Sequence, residues 1–333
     1  MPHDGEDRVV SLSPNTPVAI ENAEVAAGTP PPEGAAASII EGRSPWRLAY
    51  ERLRRDRASL IALGVVVVII LVAIFAPVIA ALTGHGVYEQ FRSTGLTPDG
   101  LPVGPNSQFL LGTDDQGRDI LVRIAYGARI SLIVGVVATG AEVVLGTVLG
   151  LAAGYFGKIV DTIIARIIDI VLSIPFLLFA ISLVSISHPS LTIVIVVIAV
   201  FGWAAVARVV RGQVLSLREK EYIEAARALG AGPWRIMFID ILPNIVAPII
   251  VYATLLIPVT IVIEASLSFL GVGVPPPTAD WGTMISGAQQ IYQQAWWYLL
   301  FPSLALLITT VAFNIFGDGL RDALDPRAEQ LYE

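Results

Sequence analysis

Glu224-Ala-Ala-Arg-Ala-Leu-Gly230, running on to Leu242-Pro243-Asn244, is the stretch on which the reading of this chain turns. It is a polar, helix-prone island between two long apolar segments. Each flank is long enough to cross a bilayer, which takes about 20 apolar residues. The island is therefore what neighbouring spans hold out on one side of a membrane. A glutamate, two small alanines and then a glycine suited to a left-handed cap describe a short helix built for close docking.

Composition agrees with a membrane protein. Of 333 residues, 55% are hydrophobic and only 15% charged, too apolar for an ordinary soluble domain. The formal charge of −7 is a local effect, because residues 1–42 hold seven acids against Arg8 alone. The body is close to neutral and offers nothing to nucleic acid. There are no cysteines, so disulfides and thiolate metal sites are excluded. His3, His85 and His188 are too scattered for a metal cluster.

Residues 1–42 are rich in Pro, Ala, Glu and Ser without a periodic apolar face, and read as a disordered acidic cytoplasmic tail. From residue 43 onward the chain reads as one six-span domain, with spans near 59–82, 129–155, 159–186, 191–211, 245–273 and 296–317. The Arg-rich approach through Arg47, Arg52, Arg54, Arg55 and Arg57 marks the cytoplasmic side, so both termini fall inside. Loop 83–128 is then external and loop 212–244 cytoplasmic. In the outer loop, Thr113 or Asp114 can cap a short helix lying on the outer face, carried by Ile120, Leu121, Ile124 and Ala125. Trp296-Trp297-Tyr298 marks an interfacial belt at the start of the last span.

Within the island, the spacing predicts an amphipathic helix over 214–229 ending at Gly230. A second short helix starts at Pro233, and Leu242-Pro243 breaks it before the fifth span. The pattern resembles the EAA loop of permease subunits in bacterial ABC importers. Three further blocks are similar to the second, "C"-type permeases of the dipeptide, oligopeptide and nickel group. They are Leu111-Gly-Thr-Asp…Gly117-Arg-Asp119 with Arg129-Ile-Ser-Leu132, then Glu264-Ala-Ser-Leu-Ser-Phe-Leu-Gly271 with Asp280-Trp-Gly282, and last Asp325-Pro-Arg327. Together the resemblance covers about residues 46–327.

The resemblance implies an all-α polytopic protein with six transmembrane helices and the type I ABC importer permease fold, in a bacterial plasma membrane. It also implies partners: a homologous second permease, two ABC ATPases that carry the ATP and Mg, and an extracytoplasmic solute-binding protein. On its terms, Glu224, Ala225, Ala226, Arg227, Leu229, Gly230 and Pro243 form the ATPase-coupling element. Gly112, Thr113, Asp114, Gly117, Arg118 and Asp119 form the outer-face motif. Short peptides are the expected cargo, with nickel complexes, opines and oligosaccharides behind.

Ionisable residues inside spans cost about 2.5–3.5 kcal/mol at a helix centre unless paired or wet, and are functional candidates for that reason. Glu264, Glu142, Asp169 and Arg166 are such candidates for the translocation path or a contact between subunits. Arg166 and Asp169 stand three apart and can pair on one helix face. Gly146, Gly150 and Gly154 recur every four residues and permit close helix packing, within the subunit before a dimer contact. No Gly-x-x-x-x-Gly-Lys-Ser/Thr phosphate loop occurs, since Lys158 and Lys220 both lack its context, so no ATP site or other cofactor is expected in this chain. The competing class is a carrier driven by an ion gradient through an intramembrane carboxylate.

Overall fold

The computed structural model describes residues 45–187 and 189–325. The acidic tail, His188 and the Pro-Arg of Asp325-Pro-Arg327 lie outside the described residues. Every regular element among those described is helical.

Helix α1 (Pro45–Leu53) leads to α2 (Arg57–Ile74), whose first turn is capped by Asp56: its carboxylate accepts the N–H groups of Ala58 at 3.0 Å and Ser59 at 3.3 Å. Pro77 has no N–H to continue that ladder, so the first span restarts as α3 (Ala76–Thr83). The outer loop follows. It delivers the chain into α4 (Ile120–Phe156), a single helix of 37 residues. The predicted short helix on the outer face is thus the first part of a continuous span, and its N-cap is Asp119 rather than Thr113 or Asp114. The reason is local: Thr113 and Asp114 are already committed to hydrogen bonds that fold the loop.

The third span is broken. α5 (Lys158–Ser173) and α6 (Phe176–Ile186) meet at Ile174-Pro175 with a bend of 83°. Proline at the junction cannot donate to the α5 ladder, which makes the break permanent. α7 (Leu191–Leu217) then runs parallel to α4 along the most extensive helix seam among the described residues. Gly146, Gly150 and Gly154 form α4's side of it. A Cβ on Gly150 would lie 2.7 Å from Val210 Cβ, and one on Gly154 would lie 2.6 Å from Val214 Cβ. The glycine face is filled by valines of the same subunit.

The island differs from its predicted form at both ends. Residues 214–217 belong to α7, and the separate helix α8 spans Glu221–Ala228. Downstream, α9 (Pro233–Arg235), a π-helical turn at Ile236–Ile241 and α10 (Leu242–Phe269) join into one span of 37 residues. Leu242-Pro243 therefore does not break the helix. The π turn has already shifted the ladder, so that Leu242 N–H reaches Met237 O, and the missing proline donor falls at this re-registered step. α11 (Trp281–Ala288) is a short helix between the fifth and last spans, and α12 (Trp296–Leu324) is the last span. Five helices are long and apolar enough to cross a membrane, six spans with the bent pair counted as one.

Candidate functional site

The island is anchored by one residue. Ile223, between Tyr222 and Glu224, is fully buried and packs in a cluster with Ile236, Ile241, Ile245, Val210 and Val214. That anchor leaves Glu224, Ala225, Arg227 and Leu229 exposed, with Ala226 half-buried. α8 ends in a Schellman motif: Gly230 N–H donates to Arg227 O at 2.9 Å, and Ala231 N–H donates to Ala226 O at 3.0 Å. The motif needs a left-handed residue, and Gly230 has φ of +83°. Arg227 lies over the Tyr155 ring at 5.6 Å, so its charge is partly engaged inside this chain. Pro243 is exposed at the junction of the π turn and α10. Trp234 and Phe238 stack at 5.9 Å on the exposed side of α9 and the π turn.

At the other end of the spans, the outer motif is a buried hub. The carboxylate of Asp114 accepts the N–H groups of Gln116 and Arg118, both at 2.9 Å. It also pairs with Arg118 Nε at 2.6 Å and Arg123 Nε at 3.3 Å. Thr113 Oγ1 donates to Gly95 O at 2.6 Å and accepts from Val103 N at 2.9 Å. Asp119 caps α4 through Leu121 N–H at 2.8 Å, and its other oxygen meets His85 Nδ1 at 2.6 Å. Gly112 has φ of +78°, and a Cβ there would stand 2.7 Å from the Trp297 ring. Gly117, also at positive φ, closes the turn onto Asp114 O at 2.9 Å. Trp297 donates to Thr113 O at 3.3 Å and Tyr298 is buried, so within the aromatic trio it is Trp296 that is well exposed at the start of α12. Burial pushes the Asp115 carboxyl up, with repulsion from Asp114 adding to it.

The four intramembrane candidates separate into two pairs. Glu264 is fully enclosed: Ser131 of α4 donates to its carboxylate at 3.1 Å and Ser268 of α10 at 3.0 Å, with the Asp280 carboxyl facing it. Glu142, 3% exposed, abuts Gly202 of α7, where a Cβ would collide with its carboxylate. It borders a cavity of about 230 Å³ beside the α5–α6 break at Ile174 and Phe176. Asp169 and Arg166, by contrast, are exposed. They do not pair with each other. Asp169 meets Arg208 of α7 at 2.8 Å, and Asp161 is held by both nitrogens of Arg211 presented to it. The i,i+3 reading lost because α7 brings two arginines alongside α5.

Sequence reasoning missed Ile223, Arg208 and Arg211, and gave Ser131 no role of its own. For Ile223 a signal existed, since it is the apolar residue inside an otherwise polar turn. The arginines of α7 carried one as well, being charges at the end of an apolar run. Ser131 stood inside the block Arg129-Ile-Ser-Leu132, but nothing local pointed to Glu264 as its partner.

The family model described as binding-protein-dependent transport system inner membrane component matches residues 146–330. The chain belongs to this family. Within it, the chain is an ABC importer permease of the C type: the model for the N-terminal TM domain of oligopeptide transport permease C matches residues 44–98. The dipeptide transport system permease protein DppC of Alkalihalophilus pseudofirmus is 44% identical over 299 residues, covering 90% of this chain and 94% of that protein. DppC of Escherichia coli K12 is 44% identical over 287 residues, 86% of this permease and 95% of its own length. The oligopeptide permease OppC of Bacillus subtilis is 41% identical over 284 residues, 85% and 90% of the two chains. A chain of the MetNI methionine ABC transporter, solved in inward-facing conformations, shares the fold at a TM-score of 0.50. It is 22% identical and covers 61% of this permease and 96% of its own chain. Family membership selects the ATP-driven importer over the gradient-driven carrier.

Proposed function

We propose that this permease forms half of the translocation path of an importer for short peptides, driven by partner ATPases through the exposed α8 face. The observation that carries the coupling is the construction of that face. Ile223 fixes α8 to the spans, Ala225 and Ala226 keep its surface low for close approach, and the Gly230 cap turns the chain straight into α9 and the fifth span. A helix docked in an ATPase groove would move α10 with it, because no break separates α9 from α10. Closure of the ATPase pair on ATP then rocks the spans outward, and hydrolysis resets them. Glu224 and Leu229 supply the exposed polar and apolar contacts.

Peptide cargo is supported by relatives described as dipeptide and oligopeptide permeases. The partners follow from the same class: a second permease, two ATPases holding ATP and Mg, and an extracytoplasmic binding protein that delivers cargo. The arginine cluster before α2 supports cytoplasmic termini, with residues 1–42 as an acidic cytoplasmic extension. Of the intramembrane candidates, exposure supports Arg166 and Asp169 as contacts of the path or of the second permease. Enclosure supports Glu264 and Glu142 as internal.

Gentle detergent pull-down of the tagged chain from its native membrane, with mass spectrometry, tests this. Recovery of a second permease, ATPases with phosphate loops and a peptide-binding protein is expected. A lone homo-oligomer without ATPase activity would overturn the proposal.

A further inference from the structure

Helix α5 has an outer surface that is divided lengthwise. At 3.6 residues per turn, Lys158, Thr162, Arg166, Asp169 and Ser173 fall within a sector of about 80°. Ile159, Ile163, Ile167 and Ile170 fill the neighbouring sector, and Ile168 on the opposite side is the position buried in the bundle. All five polar residues and all four isoleucines are exposed. The polar half continues onto α7 through Arg208, which meets Asp169 at 2.8 Å while both stay about half exposed. It ends at the 83° turn into α6, directly after Ser173.

Charges in this half do not cancel. Asp169 is matched by Arg208 and Asp161 by Arg211, whereas the side chains of Lys158 and Arg166 make no ion pair among the described residues. Thr162 and Ser173 donate their hydroxyls back to Lys158 O at 2.8 Å and Ile170 O at 2.7 Å, leaving oxygen lone pairs free to accept. A lone guanidinium on a spanning helix is retained where it meets water or a counter-charge, not lipid tails. The isoleucine half suits lipid or an apolar helix.

We infer that the polar half of α5, with Arg208, is this subunit's wall of the aqueous translocation path, and that Arg166 receives the carboxylate of the peptide in transit. The inference rests on the peptide-import reading above. Every unblocked peptide carries a terminal carboxylate, and a guanidinium takes such a group through two parallel N–H bonds. On a surface that water also reaches, that contact can be released again, as transit requires.

The chain has no cysteine, so a thiol label on it reports only an introduced residue. In the assembled complex, Thr162→Cys and Ser173→Cys should react with a charged methanethiosulfonate reagent at least about tenfold faster than Ile163→Cys and Ile170→Cys, as expected for a wet against an apolar face. Arg166→Gln should lower dipeptide uptake at saturating binding protein by about tenfold, the scale of one lost charge-assisted contact, with Arg166→Lys recovering part of it. The amount of assembled complex should match the native level, so that the loss reads on transit rather than on assembly. Equal labelling of the two halves, or none on the polar half, would overturn the wall. Labelling with undiminished uptake in Arg166→Gln would overturn the carboxylate contact. A native complex that hydrolyses ATP yet moves no peptide would remove the peptide reading and the carboxylate contact together, while the labelling would still decide the wall.

Discussion

Ser131 of α4 donates to the Glu264 carboxylate of α10 across 3.1 Å, tying together two spans that are 133 residues apart in sequence. Ser268 donates to the other oxygen at 3.0 Å, so the carboxyl end is enclosed by partners from its own chain. Glu264→Gln keeps an acceptor for one serine and gains donors toward Asp280, whereas Glu264→Ala leaves both serine hydroxyl protons without an acceptor in a buried site, Ser268 Oγ keeping only the N–H of Val274. Thermal unfolding of the purified complex should show the alanine variant less stable than the glutamine variant by about 1–3 kcal/mol, the cost of orphaned buried polar groups. Equal stability of the two would contradict the enclosed role.

The glycine seam between α4 and α7 admits no side chain. A Cβ on Gly150 meets Val210 Cβ at 2.7 Å and Ala207 O at 2.8 Å, and the backbone oxygen cannot yield. Gly150→Val should therefore cost about 1–3 kcal/mol, as overpacking does in other close-packed interiors. Val210→Ala in the same chain should recover only part of the loss. Recovery of the full melting temperature by Val210→Ala would argue that the carbonyl contact is unimportant.

Asp114 balances two buried arginines. Its removal leaves Arg123 without an ion-pair partner and Arg118 with only Asp115 at 3.7 Å, at a cost of about 3–5 kcal/mol for a broken buried pair. Asp114→Asn should lower the yield of folded complex and expose the outer loop to protease, because the same carboxylate also folds the turn through Gln116 and Arg118 N–H. A protease-resistant loop in this variant would count against the hub.

The spans, the island and its terminal glycine were all legible before the structure, because apolar length and a left-handed cap are local properties. Interruptions were harder. Pro243 was read as a stop, yet a π turn upstream absorbs it. Pro175 falls inside the span placed at 159–186, yet it turns the chain by 83°. Whether a proline ends, bends or passes unnoticed depends on the ladder of the preceding turn, which sequence does not display. Asp169 shows the same limit for charges: its neighbour Arg166 was the obvious partner, but Arg208 arrives through tertiary packing. The outer motif was recognisable as a pattern, while its character as a buried hub depended on Trp297 and His85, far away in sequence.

The central claim is that the α8 face transmits ATP hydrolysis to the spans, and Gly230 tests it most directly. A Cβ there would meet nothing within 4 Å, so Gly230→Val acts on the cap conformation and not on packing. A left-handed L-residue costs about 1–2 kcal/mol, more for a β-branched one, so the turn between α8 and α9 should reorganise while the spans stay folded. Peptide uptake and ATP hydrolysis would be measured together in proteoliposomes holding the complete transporter. The account predicts that Gly230→Val retains ATP hydrolysis but loses most of its uptake. Uptake at the native ratio to hydrolysis would contradict it.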